Sequence, residues 1–202
     1  MILAIDTAGP VIGAACGDRR FSQRIVRGAD SVLTPALARL VEGVTLRAVA
    51  VTVGPGAFTG LRVGVSAALG LAFARRLPVI PVSALHARAS MATHSRVLSL
   101  LDGRKGRAYA AFYVDGERVG DEADLPPDQA IALAQGDFVA VGEGALVWED
   151  LVRRASGRIL DGAGESPAVA MLALAGRLPS CAPEKIRLQY IRAADARKPT
   201  LS

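Results

Sequence analysis

The apolar positions of this chain fall mostly in short continuous runs bounded by turn residues. MILAI opens the chain and ends on Asp6; VIGAAC follows Gly9-Pro10; AVAVTV spans 48–53; VIPV spans 79–82; VLSLL and FVAV begin at Val97 and Phe138. Uninterrupted runs of this length, rich in β-branched residues, predict strands buried on both faces. A third strand is predicted near Phe21–Val26. Between the runs the spacing changes to a helical one. Leu33, Leu37, Leu40 and Val41 give one stripe, opened by Thr34-Pro35 and closed near Gly43, so a helix is predicted over Thr34–Glu42. A longer helix is predicted from about Gly60 to Arg76, ended by Pro78, and others begin at Ser83 and span Ser166–Arg177. The acidic, proline-containing stretch Asp121–Asp128 reads as a loop, and the basic tail from Lys185 as a strand or extended arm that packs back.

The order restarts half-way. VLSLLDGRKGRAYAAFYVDGER repeats the plan of MILAIDTAGPVIGAACGDRR: strand, aspartate, short turn, strand, glycine turn, basic residue. Asp102 stands where Asp6 stood. The chain is therefore divided into two α/β lobes, 1–96 and 97–202, each of βββαβαβα type, with the second abbreviated. Two such lobes resemble the actin-like ATPase and sugar-kinase superfamily. In active members of that superfamily the two strand–aspartate turns cradle phosphates and magnesium. Asp6, Thr7 and Asp102 are thus candidate vestigial phosphate turns, and Gly142-Glu143-Gly144 resembles an adenosine-binding glycine motif. The local alternative for both aspartates is turn chemistry, since aspartate bonds its own downstream backbone.

The stretch around the long helix organises the first lobe. Gly54-Pro55-Gly56 must turn sharply, because glycine tolerates positive φ and proline fixes its own; Thr59 is placed to cap the helix that follows. A phosphate loop would need Gly-Lys-Ser/Thr where Gly60-Leu61-Arg62 stands. A dinucleotide fingerprint would need a closer last glycine and an acid that the chain lacks between Glu42 and Asp102. The helix is apolar almost all round. Gly60, Gly64, Ala67 and Ala68 suit close packing on the lobe's own sheet. Leu61, Val65, Leu69 and Phe73, at i+4 spacing and flanked by Arg62 and Arg76, read as a ridge for a partner. Leu33 and Leu37 of the preceding helix join that expected interface. The competing reading is that the second lobe covers the ridge within the chain.

Charge and chemistry narrow the function. The net charge is +5, and only three of the 24 basic residues are lysines. From Gly43 to Leu101 there are six arginines and no acid. Such a surface suits a polyanion such as RNA, although an ordinary solvated basic face would look the same. Two cysteines are too few for a disulfide framework, and Cys16 reads as a buried thiol. No apolar run approaches the ~20 residues of a membrane span, and Asp6 comes too early for a signal peptide; a cytoplasmic protein is expected. His86 and His94, eight apart on one predicted helix, cannot ligate a metal from adjacent turns, and no third ligand accompanies them. Ser66, Ser83 and Ser90 lack a nucleophile elbow. No catalytic residue and no metal site are assigned.

The run GPGAFTGLRVGVSAALGLA also resembles the signature of the TsaB (YeaZ) family, roughly G-P-G-S-F-T-G-x-R-x-G-x-x-x-A-x-G-L-A. Gly54, Pro55, Gly56, Phe58, Thr59, Gly60, Arg62, Gly64, Ala68, Gly70, Leu71 and Ala72 fall in place; Ala57 departs from the usual serine, and Leu69 from a commonly polar position. MILAIDTA, VAVGEGALVWEDL, and Tyr190-Ile191-Arg192 with Ala196 extend the resemblance. It departs at Ala29-Asp30-Ser31, where a histidine is common. The resemblance implies a catalytically degenerate actin-like subunit, with no cofactor of its own. It implies pairing with a TsaD-like catalytic subunit and a TsaE-like ATPase, which would carry ATP and magnesium, and tRNA contact through that complex. The product would be threonylcarbamoyladenosine beside the anticodon. A homodimer is the expected alternative pairing in isolation. The alternative function, from the residues alone, is a small actin-like ATPase or kinase using Asp6 and Asp102.

Overall fold

The structure is a computed structural model and describes residues 1–191. Residues 192–202, which include Arg192, Ala196 and the end of the basic arm, lie outside the described residues.

The first lobe runs β1 (Ile2–Asp6), β2 (Val11–Cys16), β3 (Arg19–Arg24), α1 (Ala29–Leu40), β4 (Ala48–Gly54), α2 (Phe58–Arg75), β5 (Val79–Ser83) and α3 (Ala84–Ala89). The second runs β6 (Arg96–Asp102), β7 (Ala108–Val114), β8 (Glu117–Leu125), α4 (Pro127–Ile131), β9 (Phe138–Val141), α5 (Glu143–Val147), α6 (Glu149–Arg154) and β10 (Gly157–Ile159). The two sheets have orders β3-β2-β1-β4-β5 and β8-β7-β6-β9-β10. These are the same path laid out twice, with β1 and β6 at the centre of each sheet, so the repeat read from the sequence is a repeat of topology. The abbreviation lies in element length, not strand number: α1 has 12 residues where α4 has 5, and β4 has 7 where β9 has 4.

Central strands buried on both faces need two helical layers, and alternation along each strand assigns them. Leu3, Ile5, Val49 and Val51 face Leu33, Leu37, Val65 and Ala68 of α1 and α2. Ile2, Ala4, Ala48 and Ala50 face Ala87 of α3 and Met171 and Ala175 of α7 (Ala168–Ala175). The small residues on that face let α7 lie close to the sheet. The segment after β10 therefore returns to the first lobe and does not belong with the second, as a division at 97–202 would have it. Cys181 bridges to Val79, Ile186 enters the first core, and the Gln189 N–H donates to the Val53 carbonyl at 2.7 Å. A third apolar cluster joins the lobes: Ala8, Leu61 and Leu85 from the first pack with Leu101, Tyr113 and Val141 from the second.

Several boundaries differ from the sequence reading, each for a local reason. Helix α1 begins five residues before Thr34: Gly28 takes a left-handed conformation as N-cap, the Ser31 hydroxyl donates to its carbonyl, and Pro35 sits inside the helix. In α2 the Leu61 N–H donates to the Ala57 carbonyl, so the N-cap is Ala57 and Thr59 is helical with no capping bond. The third strand is Arg19–Arg24, in register with β2 from Cys16 to Val11. Most of the acidic stretch at 121–128 is strand, not loop. Asp124 is paired by Arg107 at 2.8 Å, and Glu122 by Arg118 and by a hydrogen bond from Ser83. No helix among the described residues is long and apolar enough to cross a membrane.

Candidate functional site

The twofold repeat places Asp6 at the end of β1 and Asp102 at the end of β6, on the two turns that would cradle phosphates in an active actin-like ATPase. Both carboxylates serve their own turns: Asp6 Oδ1 accepts from the Ala8 N–H at 3.4 Å and Asp102 Oδ1 from the Arg104 N–H at 2.8 Å. Beyond that they diverge. Asp102 is partly exposed, with the Arg104 guanidinium 4.0 Å away. Asp6 is wholly buried and faces Arg88, itself 2% exposed. Arg88 comes from α3, whose N-cap Ser83 accepts from the Leu85 and His86 N–H groups and so fixes the helix start. Its Nη1 and Nη2 donate to the Asp6 carboxylate at 3.4 and 3.3 Å, and Nη1 donates to the Ala84 carbonyl at 3.1 Å. Its Nε lies 3.5 Å from Glu143 Oε2. One guanidinium thus bridges a carboxylate of each lobe.

The electrostatics follow from burial. Leaving water opposes the charge on Arg88, but Asp6 and then Glu143 outweigh that penalty and hold its pKa above the usual arginine value. Glu143 is shared with Asp6 for one cation, and burial pushes its carboxyl up despite Arg88. Gly142-Glu143-Gly144 is the device that aims Glu143. A Cβ on Gly142 would fall 2.1 Å from the Leu100 carbonyl oxygen and one on Gly144 2.9 Å from the Leu100 carbonyl carbon. Only glycine brings this elbow onto β6. Its resemblance to an adenosine motif is therefore a packing requirement.

This geometry does not fit a nucleotide phosphate with magnesium at Asp6. The carboxylate that would order the metal's waters is bonded to Arg88. A Cβ on Gly9 would already lie 2.7 Å from Arg88 Nη2 and 3.2 Å from Glu143 Oε2, so both side chains stand against this turn. Of the two residues on which an ATPase or kinase reading would be built, Asp6 is engaged by Arg88 and Asp102 is partly exposed. Sequence reasoning passed over Arg88 and read Glu143 only as part of a glycine motif. The available signals were an arginine among alanines on a short apolar helix and a glutamate held between glycines.

The elbow ahead of α2 is structural in the same sense. The Gly54–Pro55 peptide is cis, Gly54 and Gly56 have φ of 125° and 157°, and the Ala57 N–H donates to the Ala8 carbonyl at 2.8 Å. Cβ atoms on Gly60 and Gly64 would come within 2.3 Å of Thr7 O and 2.2 Å of Thr7 Oγ1. The glycine side of α2 is thus seated on the Asp6-Thr7-Ala8 turn. Phe58, at the helix start, is partly exposed between Tyr190, at a ring separation of 5.2 Å, and the Arg62 guanidinium, 3.8 Å from its ring centre.

The expected ridge needs correction. Leu61 is fully buried between the lobes, Val65 lies at 7% exposure in the first core, and Leu33 and Leu37 are buried there as well. Leu69 is half-buried; only Arg62 and Phe73, 53% exposed, face solvent. The reason is geometric. A row at i+4 spacing advances about 40° round a helix per step, so four members starting on the core face end on the solvent face. For Leu61 the competing reading, cover by the second lobe, holds. The solvent face of α2 is Arg62, Ser66, Gly70 and Phe73; α1, which packs against α2, exposes Thr34, Pro35 and Ala38. His86 and His94 line one cavity of about 310 Å³, but His94 lies beyond the end of α3. His86 stacks on Tyr113, and burial holds its pKa below the usual histidine value. No group of potential metal ligands occurs among the described residues.

A family model described as "TsaD: tRNA N6-adenosine threonylcarbamoyltransferase" matches residues 17–150. The chain is 33% identical to the tRNA threonylcarbamoyladenosine biosynthesis protein TsaB of Escherichia coli, over 83% of this chain and 81% of that one. The chain belongs to the TsaB family. The TsaB protein of Haemophilus influenzae is 38% identical over 42% of each chain. The solved structure of YeaZ from Pseudomonas aeruginosa superposes with a TM-score of 0.78 at 28% identity, covering 94% of this chain and 98% of that one. The actin-like fold of this TsaB-family chain follows from that likeness and from the duplicated sheet.

Proposed function

We propose that this TsaB-family chain is a non-catalytic partner subunit in the synthesis of threonylcarbamoyladenosine on tRNA. In this reading it pairs with a TsaD-like transferase, while ATP and magnesium belong to that subunit and to a TsaE-like ATPase. The observation that carries the proposal is Arg88. An internal cation bonded to both lobes stands where an actin-like ATPase would order a nucleotide, so what the chain offers others is its surface. The α1–α2 face suits that role. Ser66 and Gly70 make it low, Phe73 supplies an exposed anchor, and Arg62, stacked on Phe58, lies at its edge. Aromatic and arginine side chains around small residues are the composition of binding hot spots.

The test mixes the chain with TsaD-like and TsaE-like proteins. Co-elution on gel filtration and transfer from threonylcarbamoyl-adenylate to tRNA are then measured with and without it. The chain alone should transfer nothing and should raise the rate of the mixture. Ser66→Arg, on an exposed position, should keep the fold and lose both effects. Transfer by the chain free of any TsaD-like protein, or full support by Ser66→Arg, would refute the proposal.

A further inference from the structure

The cavity of about 310 Å³ that holds both histidines lies where α3, α7 and the second lobe meet. Val97 lines it near the start of β6, and Asp102 ends that strand, so about 17 Å of strand separates the cavity from the Asp102 turn. Helix α3 contributes His86 and Ala89, the second lobe Val97 and Tyr113, and α7 Ala170 and Leu174. Most of the wall is therefore small and apolar. A concave apolar space with a few polar groups is the usual make-up of a small-molecule site, and this volume is at the low end of the range.

The polar groups are few, and their bonding separates them into used and unused. The carbonyls at the end of α3 are used. Those of His86, Arg88 and Ala89 accept from the N–H groups of Ser90, Met91 and Ala92, and that of Ala87 from the Ser90 hydroxyl at 2.7 Å. His86 is unused. It is half-buried, its ring stacks on Tyr113 at 5.3 Å, and neither ring nitrogen is bonded to a described residue. Burial lowers its pKa; Glu117 on the β7–β8 hairpin opposes that and Arg118 adds to it. The imidazole is thus neutral at pH 7, with one donor and one acceptor to offer. Tyr113, 1% exposed, lines the cavity too, and its hydroxyl has no hydrogen-bond partner among the described residues. Arg177 and His94 stand exposed at the rim, no described residue pairs with the Arg177 guanidinium, and no Asp or Glu lines the space.

We propose that this cavity binds a small carboxylate with an apolar body, a short fatty or aromatic acid. The alanines, Val97 and Leu174 take the body, and Arg177 and the His86 N–H donate to the carboxylate. The apolar wall alone would accept an alcohol or an amine of the same shape. The guanidinium at the mouth and the acid-free lining are what select the anion. The site belongs to the chain by itself and does not rest on pairing with a TsaD-like subunit.

The two histidines of the chain both line the cavity, so imidazole resonances report on it directly. Hexanoate and benzoate are titrated into the full chain, with hexanol and hexylammonium as controls, and the histidine Cε1–H signals are followed by NMR. His94→Gln assigns the two signals. A ligand of about eight heavy atoms in such a site should saturate near ~1 mM. Either carboxylate should shift the His86 signal saturably and raise the His86 pKa, because a nearby anion favours the imidazolium. Hexanol and hexylammonium should do neither. Arg177→Gln, at an exposed position, should keep the fold and weaken carboxylate binding about 3- to 10-fold, while Arg158→Gln, outside the cavity, should bind as the parent does. The proposal is overturned if neither carboxylate shifts His86 saturably, if hexanol or hexylammonium shifts it equally, or if Arg177→Gln binds like the parent.

Discussion

Replacing Arg88 by methionine keeps most of the aliphatic stem and removes the guanidinium that joins the lobes. Its two direct partners are poorly placed to lose it, since Asp6 is wholly buried and the Glu143 side chain is only 15% exposed. Removing one member of a buried ion pair typically costs about 3–5 kcal/mol, because the remaining charge keeps its desolvation penalty without compensation. Here two carboxylates are left facing one space, and the Ala84 carbonyl loses a donor. A loss near the upper end of that range is expected at pH 7. For a chain of this size that corresponds to a fall in Tm of roughly 10–20 °C. The pH dependence is the sharper part. Burial already raises the Glu143 carboxyl, and without Arg88 it should rise further. A carboxyl whose folded pKa lies above its unfolded value binds more protons in the folded state, so stability is regained as pH falls through the folded pKa. The deficit of Arg88→Met relative to the parent should therefore shrink between pH 8 and pH 5, measured by urea unfolding at both. Adding Glu143→Gln should recover part of the loss at pH 7 and reduce the pH dependence. A variant within about 0.5 kcal/mol of the parent at pH 7, or a deficit equal at both pH values, would refute the bridge as described.

The same geometry makes further predictions for α2 and its neighbours. Val65→Arg, which would have left a surface ridge folded, should instead unfold the monomer or yield insoluble protein, because Val65 is packed in the first core; circular dichroism and sedimentation would show it. Gly64→Ala should cost about 1–3 kcal/mol, since its Cβ would meet Thr7 Oγ1 at 2.2 Å. Gly70→Ala, with nothing within 4 Å, should stabilise by up to about 1 kcal/mol; the opposite signs would appear in thermal melts. Leu61→Ala should destabilise by about 2–5 kcal/mol, because Leu61 sits between the lobes with Leu101 and Val141. An unchanged melt would mean the lobes do not close on it.

How much of this was legible in the sequence depends on the range over which each residue's partners lie. The duplicated strand–aspartate–turn–strand was visible because each copy is local, and its consequence, two sheets of identical strand order, follows from packing each copy in the same way. The glycine side of α2 was legible for a similar reason: Gly60 and Gly64 have no use in a helix interior except close approach, and Thr7 provides the surface approached. The ridge misled because i+4 spacing was treated as a single face, although the row turns steadily from core to solvent. Similarly, a proline preceded by a hydroxyl residue hid the true start of α1 at Gly28.

Arg88 marks where local pattern stops being informative. Its carboxylate partner on β1 is 82 residues away in sequence, and the other lies in the opposite lobe. Nothing within a helical window distinguishes such an arginine from a solvated one. What makes it intelligible is the symmetry of the fold. The repeat brings the β1 turn and the start of α5 to the same cleft, each with a carboxylate. A closed cleft cannot leave both unpaired, because burying uncompensated carboxylates costs more than the chain's marginal stability allows. Here α3 supplies the compensation through Arg88, whose ion pairs with Asp6 and Glu143 join the lobes.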